Sequence, residues 1–294
     1  MPVFVQTIEQ YQALSPERRE ALLKAMDTDR RLEAWLGRGE FNIPEEEPCH
    51  HCHGGGVLYH KKRDDSDIHP SAISRCLKAL WYASAGYAQQ KQRRVSATLR
   101  IIFDIGSAWH AWVQENYGKR GAWGNPNDYY PEVPIDPDAT EVDAAYPLAA
   151  ELRIKGHIDA IVDNYCVGQV VGFGGEMVYV RVVHEYKTIN DNGFKGLTKP
   201  KSEHEEQATP YAVLTNIPFT SFIYFNKNGG AFCGFNTAVN LDVWAKIRKK
   251  CERVLELAKT STPPPWEETS AVLDGWECKD CDYAHLCKPY DRLT

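Results

Sequence analysis

The feature that most constrains the fold is a change of hydrophobic period in the middle of the chain. From residue 152 to residue 162, apolar or small residues occupy the even positions and mostly charged residues the odd ones. The segment Tyr179–Thr188 is a second run rich in β-branched and aromatic residues. Because successive side chains of a strand point to opposite faces, both runs predict β-strands. The glycine-rich stretch between them, residues 168–175, predicts a hairpin or loop.

Helical spacing dominates the segments on either side of these two strands. It predicts helices over residues 7–37, from Ser71 onward, over 102–117, near 202–216 and over Leu241–Lys259. Two further strands are predicted at Ser221–Phe225 and Ala231–Val239, whereas residues 121–148 are rich in loop signals. The order predicts an α/β (α+β) domain in which a central mixed sheet is flanked by helices.

Composition excludes several classes of protein. With 43% hydrophobic and 25% charged residues, the 294-residue chain is neither disordered nor fibrous. We expect no membrane association and a cytoplasmic location, since neither a signal peptide nor an apolar run of membrane-spanning length is present. The net charge of −6 argues against a histone-like basic coat. It is compatible with a nucleic-acid enzyme whose carboxylates are neutralised by bound metal.

The two central strands carry a group of charged residues that could act together. Asp159 lies late in the first predicted strand, and Glu185 and Lys187 lie at the end of the second. Residues two apart on a strand face the same side, so Glu185 and Lys187 point together. Two carboxylates that converge at strand ends form an oxygen-rich site for Mg²⁺ or Mn²⁺, and a lysine beside it can orient a water. The alternative is that these residues are solvated strand ends.

Neighbouring motifs favour the metal site. Gly106-x-x-x-His110 precedes the strands on a predicted helix, and Gln207-x-x-x-Tyr211 follows them on another. With the Gly-x-x-Asp and Glu-x-Lys elements, this order resembles the RecB-like branch of the PD-(D/E)XK nucleases. The resemblance extends over roughly residues 70 to 290 and implies a restriction-endonuclease-like core.

The resemblance also implies roles for individual residues. His110, Asp159, Glu185 and the backbone carbonyl of Tyr186 would bind the catalytic Mg²⁺ or Mn²⁺. Lys187 would assist the attacking water. Gln207 and Tyr211 would line the side that faces DNA. Taken singly, His110 would be a packed histidine, and Gln207 and Tyr211 ordinary surface residues of a helix.

The cysteines near the end of the chain predict a second metal centre. In a reducing compartment, closely spaced cysteines are typical of metal sites. Cys278, Cys281 and Cys287 offer three thiolates, and either a zinc ion or a [4Fe–4S] cluster needs a fourth ligand. His285 could complete a zinc site. The resemblance instead implies a [4Fe–4S] cluster with Cys76 as the fourth ligand, as in the iron–sulfur exonucleases of the fourth CRISPR-associated protein family and the AddB nuclease arm.

The first seventy residues depart from the family. We predict that residues 1–70 form an N-terminal helix with a Cys/His-rich extension, and that residues 71–294 form the nuclease domain. Cys49 and Cys52 could hold Zn²⁺ with His60 or His69. Two alternatives remain open: a polar loop with reduced cysteines, or competition of Cys49 or Cys52 with Cys76 for the cluster.

The sequence therefore predicts a metal-dependent DNA exonuclease acting on linear or single-stranded DNA. The resemblance favours a role in phage or mobile-element recombination. Lysine- and arginine-rich clusters could follow the phosphates of DNA. A P-loop is missing from the sequence, so any strand separation would come from a recombination or helicase partner. The alternatives are a structure-specific endonuclease and a non-catalytic nucleic-acid-binding adaptor, of the CRISPR adaptation type, on the same fold.

Overall fold

A computed structural model describes residues 2–26, 67–87, 97–118, 124–139 and 146–265, together with Glu268, Cys278 and residues 281–287. For residues 97–103, 117 and 118 it describes the backbone alone. Within these ranges the strands are β1 (Val3–Val5), β2 (Tyr129–Ile135), β3 (Gly156–Gln169), β4 (Met177–Ile189), β5 (Phe219–Asn226) and β6 (Phe232–Ala238). The α-helices are α1 (Ile8–Gln12), α2 (Pro16–Ala25), α3 (Leu77–Ser84), α4 (Ala97–Val113), α5 (Pro147–Leu152), α6 (Asp191–Lys195), α7 (Ser202–Leu214) and α8 (Leu241–Lys259).

The strands form one mixed sheet in the order β2-β3-β4-β5-β6, and β1 also pairs with β4. The β2–β3, β3–β4 and β5–β6 pairs are antiparallel, whereas β4 is parallel to both β1 and β5. The strand β4 pairs with β1 near its start and with β5 over its second half. The predicted fold class, a central mixed sheet flanked by helices, is confirmed. It is consistent with the restriction-endonuclease-like core that the resemblance implies.

Apolar side chains cover both faces of the sheet. On one face, Val180 and Val182 belong to a buried cluster with residues from α1, α2 and α4. On the other face, Val183 belongs to a cluster with residues from α3, α7 and α8. Each fully buried aliphatic or aromatic side chain contributes roughly 1.5–3 kcal/mol of transfer free energy, so the two layers hold the sheet from both sides. No helix among the described residues has both the length and the apolar character needed to cross a membrane.

The N-terminal segment is part of this core. Within the helical stretch predicted over residues 7–37, the described part forms two helices, α1 and α2, and β1 precedes them. Ser15 caps α2 and Pro16 occupies its first turn, so the proline that starts α2 cannot continue α1. Residues 27–66 lie outside the described residues, and the domain boundary at residue 70 stays a prediction.

Two other regions differ from the sequence prediction. The loop-rich region contains the edge strand β2, whose two prolines, Pro131 and Pro134, mask its strand character. The helix predicted from Ser71 begins later: Pro70–Ala72 forms one 3₁₀ turn, and Cys76 caps α3 by accepting a hydrogen bond from the amide of Ala79. The helix α8 has the bounds that were predicted.

Candidate active site

The antiparallel β3–β4 pair brings the predicted acidic residues together. Asp159 is the fourth residue of β3 and therefore lies near the start of its strand, not late in it. Glu185 and Lys187 lie near the end of β4. Because Ala160 pairs with His184, the same register places Asp159 opposite Glu185. The start of one strand and the end of the next thus form one edge of the site.

The carboxylate of Asp159 is held through both oxygens. The amide of Tyr186 donates a hydrogen bond to Oδ2 at 2.7 Å, and Nδ1 of His110 lies 3.4 Å from Oδ1. Burial alone would lower the pKa of His110, but the hydrogen bond and charge of Asp159 outweigh it and raise that pKa. The contact between His110 and Asp159 connects helix α4 to the pair of strands β3 and β4.

Glu185 is buried, with 1% of its side chain exposed, and it forms an ion pair with Lys187. Burial raises the pKa of Glu185 to about 7, although the charge of Lys187 opposes the shift. Burial would lower the pKa of Lys187, but the carboxylates of Glu185 and Asp159 more than compensate and raise it. The ammonium group also donates a hydrogen bond to Oε1 of Gln207 at 3.1 Å, which connects β4 to α7.

Tyr211, one turn after Gln207 on α7, packs against the start of β3. A Cβ atom added at Gly156 would lie 2.6 Å from the Tyr211 hydroxyl, so the close approach of helix and strand requires glycine there. Tyr211 is only 3% exposed. In the structure it therefore contacts the sheet, whereas Gln207 contacts Lys187.

The donor set suits a divalent cation. His110, Asp159, Glu185 and the Tyr186 carbonyl would supply one imidazole nitrogen and several oxygens, a combination that suits Mn²⁺ as well as Mg²⁺. In the part of the chain that the structure describes, no three His, Cys, Asp or Glu side chains are already arranged to hold one ion. The ammonium group of Lys187 is the counter-ion of the Glu185 carboxylate. A metal ion that binds Glu185 would have to weaken this ion pair.

Three of the four predicted cluster cysteines lie near one another. Cys76 and Cys281 pack against the same buried cluster of α3 and the C-terminal segment. Burial raises the pKa of Tyr82, and the nearby thiols of Cys287, Cys281 and Cys76 contribute to the increase. The Tyr82 hydroxyl donates to the Leu286 carbonyl at 2.9 Å, which attaches this segment to α3.

The other cysteines are distributed as follows. Cys278, the fourth predicted ligand of the cluster, is half-buried. The remaining described cysteines lie on separate elements, Cys166 on β3, Cys233 on β6 and Cys251 on α8. The predicted zinc ligands Cys49 and Cys52, and their candidate partner His60, lie outside the described residues.

Comparison with known proteins gives similarity to solved structures only. The crystal structure of SSO0001 has a TM-score of 0.41 and 19% sequence identity, covering 91% of this chain and 94% of that chain. The alkaline exonuclease LHK-Exo from Laribacter hongkongensis has a TM-score of 0.29 and 10% identity, covering 67% and 90%. Its complex with dAMP has a TM-score of 0.39 and 12% identity, covering 67% and 89%. No family model and no curated protein matches the chain.

Two residues at the site were not identified from the sequence. The side-chain amide of Gln114 donates hydrogen bonds to the carbonyl oxygen of Asp159, at 3.1 Å, and to the carboxylate of Glu132. The signal for Gln114 is its spacing, since it lies four residues after His110, which itself lies four residues after Gly106. Glu132 has no comparable signal, because its place depends on the pairing of β2 with β3.

Proposed function

We propose that this protein is a metal-dependent deoxyribonuclease of the PD-(D/E)XK superfamily, with Mg²⁺ or Mn²⁺ as its catalytic ion. The convergence of Asp159, Glu185, Lys187 and His110 on one edge of a mixed sheet is the observation that supports it. A buried glutamate paired with a lysine, next to a carboxylate held by a histidine, is a costly arrangement for stability alone. Such groups concentrate at functional sites.

The residues of the chain have distinct roles in the proposed hydrolysis of a phosphodiester bond. When bound, the cation would stabilise negative charge on the phosphate and lower the pKa of a water. Asp159, held by the amide of Tyr186 and by His110, presents its carboxylate in one orientation. Lys187 holds a proton and a positive charge close to the carboxylates, and Gln207 fixes the direction of its ammonium group.

The test of this function is cleavage of end-labelled DNA with Mg²⁺ or Mn²⁺. We expect Asp159→Ala and Glu185→Ala to lose at least about 10²-fold in rate because each removes a cation ligand. The control is Asp163→Ala, on the same strand as Asp159, because Asp163 is bound to Arg181 and lies away from the site. Full activity in EDTA, or in Asp159→Ala, would contradict the proposal.

The preferred substrate is linear or single-stranded DNA, degraded from an end. The sequence carries no motor motif, which favours action on exposed ends or with a helicase or recombination partner, as in phage or mobile-element DNA processing. Discrete fragments from a closed circular duplex would favour a structure-specific endonuclease. DNA binding without cleavage would favour the adaptor.

We also propose a [4Fe–4S] cluster held by Cys76, Cys278, Cys281 and Cys287. The proximity of Cys76, Cys281 and Cys287 at the junction of α3 and the C-terminal segment supports it. Such a cluster would connect residues about 200 positions apart and act as a structural staple. Zinc bound by the same cysteines, or a separate Zn²⁺ at Cys49 and Cys52, is the alternative that metal analysis distinguishes.

A further inference from the structure

The backbone of Glu132 adopts a conformation that is unusual for its residue type. Its φ angle is +50°, in the left-handed region that glycine tolerates and a glutamate seldom adopts. In the β2–β3 ladder, Pro131 pairs with Ala160 and Val133 with Ile158, which places Glu132 opposite Asp159. Glu132, whose backbone is strained, therefore lies beside Asp159, which carries the central carboxylate of the site.

Gln114 holds the side chain of Glu132 through a hydrogen bond. Its amide nitrogen carries two hydrogens, and the structure gives them two acceptors, the carboxylate of Glu132 and the carbonyl oxygen of Asp159. Because the carboxylate of Glu132 accepts only, it fixes which end of the amide faces Asp159. If the amide flipped, its oxygen would face the Asp159 carbonyl and the hydrogen bond would be lost.

The position of Gln114 is also distinctive. It is the first residue after α4, where the helix changes into the π turn Gln114–Gly118. Such turns are rare and often lie at functional sites. His110, four residues earlier, contacts the side chain of Asp159, and Gln114 contacts its backbone. One helix end thus holds Asp159 at two points, close to the start of β3.

We infer that Gln114 and Glu132 are positioning residues, which fix the backbone of Asp159 so that its carboxylate faces the cation in the productive orientation. This inference rests on the proposed function. Neither residue needs to touch DNA. Their contribution should therefore be seen in kcat and in cation affinity, with little change in KM for DNA.

The first test replaces Gln114 by leucine, which has a similar size and no hydrogen-bond donor. We expect kcat to fall by about 10- to 100-fold, because small displacements of a catalytic group have effects of that order. Mn²⁺ binding to the DNA-free protein, followed by electron paramagnetic resonance, should weaken as well. The matched control is Gln169→Leu at the exposed far end of β3, which should leave both measurements unchanged.

The second test separates positioning from a structural role. Glu132→Gly removes the strained side chain, so the melting temperature should stay the same or rise while kcat falls. Glu132→Gln keeps an oxygen acceptor but adds a donor, so it should retain more activity than Glu132→Gly and less than the wild type. A parallel loss of melting temperature and activity in Glu132→Gly would overturn the inference.

The two proposals fail in different ways. If the wild-type protein neither binds Mn²⁺ nor cleaves DNA, the proposed function is wrong. If the wild-type protein does both and Gln114→Leu matches it in kcat and Mn²⁺ affinity, the inference alone is wrong.

Discussion

The carboxyl group of Glu185 depends on a single neighbour for much of its charge balance. It is 1% exposed, and its ion pair with Lys187 connects two residues on the same face of β4. Breaking a buried ion pair by removing one partner commonly costs 3–5 kcal/mol, because the remaining charge stays buried. Glu185 has an alternative, since burial already raises its pKa to about 7 and a proton can replace the lysine.

We therefore predict that Lys187→Met destabilises the metal-free protein by about 3 kcal/mol at pH 8 and by less at pH 6. Without the lysine, the pKa of Glu185 rises further above its unfolded value. The unprotonated form then becomes more costly as the pH increases. Chemical denaturation in EDTA at both pH values measures the effect. The double variant Glu185→Gln/Lys187→Met should show no such pH dependence, and a pH-independent loss in the single variant would contradict the explanation.

His204 lies one turn before Gln207 on α7. Its pKa is lowered, whereas the pKa of Glu185 is raised. The hydroxyl of Tyr224 accepts a hydrogen bond from the amide of Lys201 and forms a second hydrogen bond, of 2.8 Å, with Nδ1 of His204. Burial, with the charges of Lys187 and Lys201, lowers the pKa of His204 to about 3. The ring is therefore neutral in the folded protein at ordinary pH.

This low pKa predicts a specific loss of stability in mild acid. The contribution of neutral His204 is fully present above about pH 6.5 and is lost as the pH falls towards 3, because only the unfolded chain takes up the proton in that range. Between pH 7 and pH 5, the free energy of unfolding of the wild type should fall by about 1–2 kcal/mol more than that of His204→Gln. Equal falls in denaturation experiments would show that His204 is protonated in the folded state.

At the residue scale, sequence reasoning succeeded where the signal is local. Glu185 and Lys187 could be predicted to face the same side because strand periodicity determines where each side chain points, and Asp159 joins them because β3 pairs with β4. Glu132 could not, since its role depends on a backbone angle and on which residue of β3 lies opposite. The burial of Tyr211 depends on the close packing of α7 over Gly156, which no spacing in the sequence reveals.

At the scale of elements, β1 is a strand that could not be predicted from the sequence. Three residues are too few for a visible alternation, yet β1 pairs with β4 from Val3↔Val178 to Val5↔Val180. The edge strand β2 was hidden by its prolines. In contrast, α8 could be placed from its apolar positions, because nineteen residues give a strong helical period.

The burial pattern of β1 predicts unequal effects of two neighbouring substitutions. Val5 is 2% exposed and lies in the main core cluster, whereas Phe4 is 49% exposed and stacks on Tyr179. Val5→Ala should lower the free energy of unfolding by about 2 kcal/mol. Phe4→Ala should cost no more than about half of that, despite removing more atoms. Denaturant titration of both variants measures the difference, and the reverse order would show that β1 is not docked on β4.

At the scale of the whole molecule, the proposed cluster would join α3 to the C-terminal segment. The described contacts between them include the stacked rings of Tyr82 and Tyr283 and the hydrogen bond from Tyr82 to Leu286, together with an exposed ion pair of 3.0 Å between Arg75, just before α3, and Asp282. Exposed ion pairs contribute little stability. A cluster would add a constraint that these contacts do not provide.

We predict that protein purified without oxygen is brown and contains about four irons per chain. Cys76→Ala, Cys278→Ala, Cys281→Ala and Cys287→Ala should be colourless and prone to aggregation, because the loss of one ligand releases the staple. Cys166→Ala, Cys233→Ala and Cys251→Ala, on separate elements, should stay brown. Zinc without iron in the wild type, or unchanged iron in Cys76→Ala, would contradict the proposed cluster or its fourth ligand.

The pairing of β1 with β4 has a consequence for how the protein is made. Val3 and its partner Val178 are separated by about 175 residues, so β1 leaves the ribosome long before the strand that it pairs with exists. At translation speeds of about 5–20 residues per second, that interval is on the order of 10 to 35 seconds. During this time the apolar side chains of β1, α1 and α2 have no sheet to cover. The nascent chain should therefore be a client for cotranslational chaperones until β4 emerges.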